Sequence, residues 1–164
     1  MEEIWVKIEG FPEYQVSNYG QVLKSSTGRI VSESRTGSGV VKVNLMIGSK
    51  QYTRSVKVLV AQAFVSGQDD IFDTAIHLDD EPRNNRADNL AWRPRWFAWK
   101  YAAQFRDPAL RTWKGRIRDI ATGVVYESYI VAAKENGILV KDILNSIVMK
   151  KEVWPTRQLF ELLK

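Results

Sequence analysis

The sequence predicts an α+β fold: a β-rich amino-terminal module, then a strand–strand–helix (ββα) unit, then a carboxy-terminal β-hairpin with two helices. Three observations predict it. Short apolar runs separated by glycine and asparagine turns occupy the first third of the chain. Two pairs of strand-like runs lie further along, within residues 76–92 and 117–126. Around these pairs, apolar residues recur at helical spacing.

The β-rich module covers residues 1–55. Apolar alternation or clustering indicates short strands at residues 4–8, 14–16, 21–23, 40–45 and 51–53. Glycines and the segment 18–20 mark the turns between these strands. Asn18 and Gly20 are suited to a turn with positive φ, which is a purely structural role.

The ββα unit covers residues 56–106. It begins with a predicted helix, Val56–Phe64, whose apolar residues recur at helical spacing. Two strand-like runs follow, and an asparagine-, aspartate- and proline-rich turn joins them. Pro94 is suited to open the next helix, because the first turn of a helix leaves that amide hydrogen unused.

A short linker, residues 107–115, precedes the last module, residues 116–164. Strand-like runs at 117–120 and 124–126 predict a β-hairpin across a glycine-containing turn. The hairpin leads into the two helices that end the module.

Capping residues and periodicity define these two helices. Ser128 is suited to cap the first, Tyr129–Asn136, and Gly137 to end it. The second, Val140–Met149, has one apolar face. Its opposite face presents Lys141, Asp142, Asn145 and Ser146. Two short helices around a glycine-containing turn are typical of a helix-turn-helix, although many such pairs bind nothing.

Composition narrows the class of protein. With 164 residues and 45% hydrophobic content, the chain is long enough for one packed domain or two small ones. There is no cysteine, so neither disulfides nor a cysteine-based zinc site can support the fold. No apolar stretch approaches the length of a membrane span, and the start of the chain lacks a signal-peptide pattern. We therefore expect a cytoplasmic protein, in the host cell if it is phage-encoded.

Positive charge is concentrated in one stretch. Residues 93–118 contain eight basic residues and one acidic residue, a net charge of +7, which leaves −2 for the rest of a chain whose net charge is +5. Tryptophan, phenylalanine and tyrosine residues are interleaved with these charges. A basic strip of this kind is typical of a surface that contacts nucleic-acid phosphates. The alternative is a solvated helix face whose aromatic side belongs to the core.

The only histidine, His77, lies at the start of the asparagine-rich turn. Its unperturbed pKa is near neutral pH, so it is a candidate general base. A lone histidine more often has no catalytic role. The surrounding pattern favours the catalytic interpretation, and its members are His77, Asp79, Asn84, Asn85, Asn89, Leu90 and Trp92.

These seven residues match, without a gap, the catalytic hairpin of HNH endonucleases, which the segment resembles in the form carried by phage intron-encoded homing enzymes. Residues 3–22 are similar to the nuclease-associated module that accompanies these enzymes. Residues 122–144 are similar to their carboxy-terminal helix-turn-helix module. The resemblance covers nearly the whole chain and implies DNA contact. In the first module we expect such contact through Lys24, Arg29, Arg35 and Lys42.

The departures from the family pattern concern the metal site. The family's two metal ligands fall on Ile76 and Ala98, and neither side chain can donate a lone pair to a hard cation such as Mg²⁺. The family's upstream histidine is Lys57, and the glycine of its turn is Asp80. Asp79 shares a strand face with His77, but one carboxylate and one imidazole are a thin site for metal-assisted cleavage.

The sequence therefore predicts a monomeric double-stranded DNA-binding protein, derived from an HNH homing endonuclease, catalytically inactive and without a cofactor. His77 is the vestigial general base. The predicted DNA-binding residues are Arg93, Arg95, Lys100, Arg106, Lys114, Arg116, Lys141 and Asn145. Two alternatives stay open. One is an active nicking endonuclease that uses His77 and Mg²⁺ with a remodelled site. The other is a module that binds a polymerase or another phage or host protein.

Overall fold

The computed structural model describes residues 2–112 and 115–163. The chain forms two compact units. Unit 1 contains the residues up to His77 and the segment Glu81–Pro94, and unit 2 contains Leu78–Asp80 and the residues from Arg95 onwards. The mixture of strands and helices confirms the predicted α+β fold class. None of the helices in the described ranges is long and apolar enough to cross a lipid bilayer.

Unit 1 contains two antiparallel sheets and a hairpin. The first sheet has the strand order β1 (Trp5–Ile8), β2 (Phe11–Ser17), β3 (Val22–Lys24) and β4 (Arg29–Ile30). The second has the order β5 (Glu33–Arg35), β6 (Val41–Ile47) and β7 (Lys50–Ser55). The hairpin pairs β8 (Thr74–His77) with β9 (Leu90–Arg93), and a 3₁₀ turn, Ala87–Asn89, leads into β9.

Helix α1 (Val56–Phe64) begins and ends where its periodicity predicts. Leu59 and Val60 are buried on it, and they join a core to which both sheets and the hairpin contribute. Strand β6 shows why the sheet has an inner face: Val43 and Leu45 are buried, whereas Asn44 between them is exposed. This alternation follows from the two-residue period of a strand.

The described residues of unit 2 form three helices, a 3₁₀ helix (Pro108–Thr112) and a three-stranded antiparallel sheet. The helices are α2 (Arg95–Gln104), α3 (Tyr129–Asn136) and α4 (Val140–Met149). The sheet has the order β11 (Val125–Tyr126), β10 (Ile117–Asp119) and β12 (Phe160–Leu162). Ile117, Ile138, Ile143 and Phe160 are fully buried in its core.

Helices α3 and α4 follow the capping rules. The Ser128 side chain accepts a hydrogen bond from the Val131 amide, and Gly137 ends α3 in the left-handed conformation. The turn between the helices, residues 137–139, is three residues long. Their bounds are those that the sequence predicts.

The structure adds features that the sequence did not predict. Strands β4, β5 and β12 were not expected. The segment predicted as a linker, residues 107–115, contains the 3₁₀ helix and the buried Leu110. The boundary between Pro94 and Arg95 falls inside the predicted ββα unit, so β8 and β9 lie in unit 1 and α2 lies in unit 2.

Candidate functional site

The hairpin of unit 1 holds His77 at the end where its loop begins. β8 and β9 pair in a register that sets His77 opposite Leu90 and Ile76 opposite Ala91. His77 is half-buried, and its Nε2 lies 2.9 Å from the Oδ1 atom of Asn85. Because an amide oxygen only accepts hydrogen bonds, Nε2 carries the proton in this contact. A base role would therefore fall to Nδ1.

The other residues of the asparagine-rich pattern hold the loop. The side-chain nitrogen of Asn89 donates to the backbone oxygen of Asn84 at 2.8 Å. The indole of Trp92 donates to the backbone oxygen of Val65 at 3.0 Å. These bonds satisfy polar groups that the packing buries. The pattern that carries the resemblance is thus, in large part, the scaffold of the loop that presents His77.

The amino-terminal strands pack against this loop within unit 1. The backbone oxygen of Asn18 accepts from the Ala87 amide at 2.9 Å. Gly20 has φ +89, and a Cβ atom there would lie 3.0 Å from the Cβ atom of Asn85. Gly20 is thus required both for its conformation and for the close approach of Asn85. The backing of the His77–Asn85 pair by Gly20 is a contact that sequence reasoning missed.

An exposed ion pair lies beside the same loop. Arg86 makes a bidentate hydrogen bond to Asp88, and its guanidinium lies 4.4 Å from the ring centroid of Tyr19. The hydrogen bond from Arg86 holds the pKa of Asp88 below its ordinary value.

The two positions that would hold a metal lack donor atoms. Ile76 is buried, with 5% of its surface exposed, and Ala98 is half-buried on α2. Among the described residues, no group of three or more histidine, aspartate or glutamate side chains could hold a metal ion. The donor set at the family's ligand positions therefore does not fit a divalent metal.

The other two departures from the HNH pattern are Lys57 and Asp80. Lys57 is half-buried on α1, and desolvation lowers its pKa. Asp80 has φ +62, which is the left-handed conformation that favours glycine. Aspartate tolerates this conformation better than most residues, so the turn keeps its backbone form without glycine.

The turn that follows His77 belongs to unit 2. The hydroxyl of Tyr101 on α2 donates to the backbone oxygen of Leu78 at 2.7 Å. The ammonium of Lys134 on α3 donates to the backbone oxygen of Asp79 at 2.9 Å. Sequence reasoning missed both contacts, because each joins residues distant in the chain. They fix the residues that come directly after the histidine.

Most of the predicted basic residues are exposed. They are Arg95, Lys100, Arg106, Arg116 and Lys141. Arg93 is half-buried, and its Nη1 donates to the backbone oxygen of Trp92 at 2.8 Å. Arg116 forms an ion pair with Glu127 at 3.3 Å, in which both side chains are largely exposed. Lys114 lies outside the described residues.

Three of the predicted DNA-binding residues line one groove. It has a volume of about 520 Å³ in unit 2, and its lining includes Lys100 of α2 with Lys141 and Asn145 of α4. Desolvation raises the pKa of Asp142, and the nearby charges of Lys141 and Lys100 oppose that shift. Two helices that are well separated in the sequence thus contribute two cations and an amide to a single surface.

The prediction that Ser146 belongs to the exposed face of α4 is wrong. Ser146 is fully buried, and its hydroxyl accepts a hydrogen bond from the Phe160 amide at 3.0 Å. The physical reason is β12, which packs on α4 and covers that side of the helix.

The sequence is similar to those of known proteins. Residues 3–46 match the NUMOD4 motif. The chain is 38% identical over 96 residues to an uncharacterized HNH endonuclease, L247, of Acanthamoeba polyphaga mimivirus, and the match covers 55% of this chain and 23% of that protein. It is 33% identical over 89 residues to the DNA endonuclease I-HmuI of Bacillus phage SP01, and this match covers 54% of this chain and 51% of the phage enzyme. Over about half of its length the chain is similar to HNH endonucleases.

A solved structure of the HNH homing endonuclease I-HmuI, from a study of its DNA binding and cleavage, supports the fold. Its TM-score is 0.56, and the match covers 99% of this chain and 98% of that chain at 22% identity. At this identity the likeness shows the fold alone. The chain spans about half or less of the length of the curated relatives described above.

The second sheet of unit 1 carries a polar outer face. Lys42 and Asn44 on β6 are opposite Ser55 and Thr53 on β7. The Thr53 hydroxyl donates to Oδ1 of Asn44 at 2.8 Å, which orients the amide. Lys42 was predicted as a contact residue, but Asn44 and Thr53 were not. For Asn44 the signal that could have found it was its position between the buried Val43 and Leu45. Thr53 has no buried neighbour in β7, so its sequence carried no such signal.

Proposed function

We propose that this chain binds double-stranded DNA and has lost the ability to cleave it. The observation that carries the proposal is the groove in unit 2, where Lys100, Lys141 and Asn145 meet. Lysine ammonium groups suit phosphates, and an asparagine amide can pair with both the N6 and N7 atoms of adenine. A surface with both kinds of group can hold a duplex and discriminate among bases.

The charge distribution supports the same function. The strip from Arg93 to Arg118 carries +7 in a chain of net charge +5. Arg95 and Arg106 are exposed on this strip, so they are accessible to phosphates. The polar outer face of β6 and β7 supports a second contact region in unit 1, because paired strands can present amide and hydroxyl groups to a groove of the duplex.

The loss of cleavage follows from Ile76 and Ala98. Cleavage in this family depends on a metal bound at these positions, and neither side chain has an atom to offer it. His77 is hydrogen-bonded to Asn85, but without a bound metal its imidazole has no activated water or phosphate on which to act as a general base. We further propose that the protein acts as a monomer in the cytoplasm, with helices α3 and α4 as a helix-turn-helix.

The modular organisation stays part of the proposal. It consists of a nuclease-associated module at residues 1–55, a degenerate HNH unit at 56–106, a linker at 107–115 and a DNA-binding module at 116–164. The NUMOD4 match to residues 3–46 falls within the first of these.

The binding proposal is tested by measuring duplex affinity over a range of salt concentrations. Each phosphate contact should contribute a log–log slope of about −0.9. We expect a slope of several units, measured by fluorescence anisotropy with a labelled duplex. A salt-insensitive affinity, or no affinity, would contradict the proposal and favour the alternative in which the chain binds a protein partner.

The catalytic proposal is tested by plasmid nicking. We expect supercoiled plasmid to stay intact in Mg²⁺ or Mn²⁺, at protein concentrations that retard the same DNA in a gel. One observation favours the alternative of an active nicking enzyme, namely the 2.9 Å contact that orients the His77 imidazole. Metal-dependent nicking that disappears in His77→Ala would establish that alternative and contradict ours.

A further inference from the structure

The exposed face of α2 has an unusual composition. Its exposed side chains include Arg95, Trp96, Trp99 and Lys100. On a helix these positions lie within one face, because residues four apart are one above the other. The opposite side of the helix carries the buried Phe97 and Tyr101, which supply its aromatic contacts to the core. Trp96 and Trp99 nevertheless leave more than half of their surface exposed.

The two indoles differ in their surroundings. Trp96 is 56% exposed, stacks on Trp154 with ring centroids 5.3 Å apart, and has the Lys100 ammonium 5.1 Å from its ring centroid. Trp99 is 74% exposed, and its side chain makes no ring, hydrogen-bond or ionic contact with another described residue. Trp99 therefore leaves most of a large flat ring accessible to a ligand.

The charges beside Trp99 indicate the class of ligand. Arg95 lies one helical turn before Trp99 and Lys100 directly follows it in the sequence; both are exposed, and no acidic residue occurs between Arg93 and Arg106. A protein-binding face with an exposed aromatic anchor has no need of uniform positive charge. Aromatic rings set among cations are typical of surfaces that bind single-stranded nucleic acid, where bases stack on the rings and phosphates pair with the charges.

We propose that this face of α2 binds an unpaired stretch of DNA, with Trp99 stacking on a base and with Arg95 and Lys100 contacting the flanking phosphates. Trp96, held by Trp154 and Lys100, forms the rigid edge of the platform. This binding mode goes beyond the proposed duplex contact. In a duplex the base faces are covered by their neighbours, so Trp99 gains its contact only where the strand is unpaired or unstacked.

The proposal is tested on the full chain with a labelled oligothymidylate and a blunt duplex of the same length. We expect Trp99→Ala to weaken oligothymidylate binding by roughly 5- to 150-fold, the usual worth of one stacked base. Trp99→Phe should retain most of the affinity, because a phenyl ring also stacks. The salt dependence should keep its slope in both variants, because stacking releases no counterions.

Two controls complete the test. Ile71→Ala removes a comparably exposed apolar side chain, 65% exposed and in unit 1, and should change neither affinity. Melting temperatures verify that the Trp99 variants are folded. The proposal is overturned if Trp99→Ala leaves oligothymidylate binding unchanged, or weakens duplex and single strand equally. Failure of the wild-type chain to bind duplex would refute the duplex proposal but not this one.

Discussion

At the scale of single residues, the His77 imidazole depends on neighbours that perform no chemistry. Asn85 accepts its Nε2 hydrogen bond, and Gly20 leaves the space in which Asn85 sits. The resemblance to the HNH hairpin identified His77 and Asn85 from the sequence. The sequence also predicted a turn with positive φ at Gly20, as its φ of +89 confirms. It could not predict the close approach of Gly20 to Asn85, because a contact between residues distant in the chain leaves no local signal.

We predict that Gly20→Ala destabilises the chain and disturbs His77. Alanine in the left-handed conformation lowers the free energy of unfolding by about 1–2 kcal/mol, and crowding of its Cβ against Asn85 adds about 1 kcal/mol or more. Gly10 provides a matched control, since its φ is +74 and nothing lies within 4 Å of the position that an alanine Cβ would occupy there. Gly10→Ala should show the backbone cost alone.

Melting temperature measures the cost, and NMR measures the coupling to the site. Because the chain has one histidine, its imidazole NMR signals are assigned without ambiguity. We expect the imidazole chemical shifts of His77 to change in Gly20→Ala and to remain unchanged in Gly10→Ala. Identical His77 signals in both variants would show that Gly20 does not support the histidine.

Asp119 provides a second prediction at this scale. It is fully buried and accepts hydrogen bonds from the Ala121 amide, the Thr122 hydroxyl and the Gln158 side chain. Burial acts to raise the pKa of Asp119, but these hydrogen bonds outweigh it and leave the pKa below its ordinary value of 3.8. The ionised carboxylate therefore stabilises the fold at pH values above its ordinary pKa. This stabilisation is lost as the pH falls through the lower pKa of the folded state.

We expect Asp119→Asn to lower the free energy of unfolding by about 1–3 kcal/mol at neutral pH, because an amide cannot accept all three bonds. The difference from wild type should narrow in acid, as the wild-type carboxylate becomes protonated. Asp88→Asn is the control: its pKa is also lowered, but the pair with Arg86 is exposed, and the loss should stay below about 1 kcal/mol. Chemical denaturation at several pH values measures all three proteins, and a pH-independent Asp119 difference would contradict this account.

At the scale of elements, local signals predicted the helices better than the strands. Helix α3 has a serine cap, a glycine end and apolar spacing, all within one short segment, and its bounds are as predicted. Strand β12 is three residues long and pairs with β10, which lies far from it in the sequence, so its own residues carry too little pattern to identify it. Missing β12 caused the wrong prediction for Ser146.

Adjacent residues of α4 should therefore separate stability from binding. Ser146→Ala leaves the buried Phe160 amide without its partner, and should cost about 1–3 kcal/mol of stability with duplex affinity unchanged per folded molecule. Asn145→Ala should cost about 1–3 kcal/mol of affinity for the preferred duplex, little for random duplex, and little stability. Melting temperature and anisotropy measure both effects. Equal losses of specific and random binding in Asn145→Ala would show that α4 does not read bases.

At the scale of the whole molecule, the sequence predicted which charges matter but not how they come together. Lys100 and Lys141 were both named as contact residues, one from the basic strip and one from a helix face. Their shared groove follows from the packing of unit 2, in which the side chain of Gln104 on α2 accepts from the Val140 amide at 2.9 Å. The division at Pro94 has the same origin, because α2 and the turn after His77 are joined by Tyr101.

Two variants of equal net charge test whether the distribution of charge, and not its total, governs DNA binding. Arg95→Ala with Lys100→Ala and Lys7→Ala with Lys151→Ala each remove two exposed cations, and each lowers the net charge from +5 to +3. If the basic strip contacts phosphates, only the first pair should weaken binding to every duplex and flatten the log–log salt slope by roughly one unit for each phosphate that is no longer neutralised. The second pair lies outside the strip and should retain the wild-type slope. Equal flattening of the slope in both variants would mean that duplex affinity depends only on the net charge of the protein. The groove of unit 2 would then not be the binding surface.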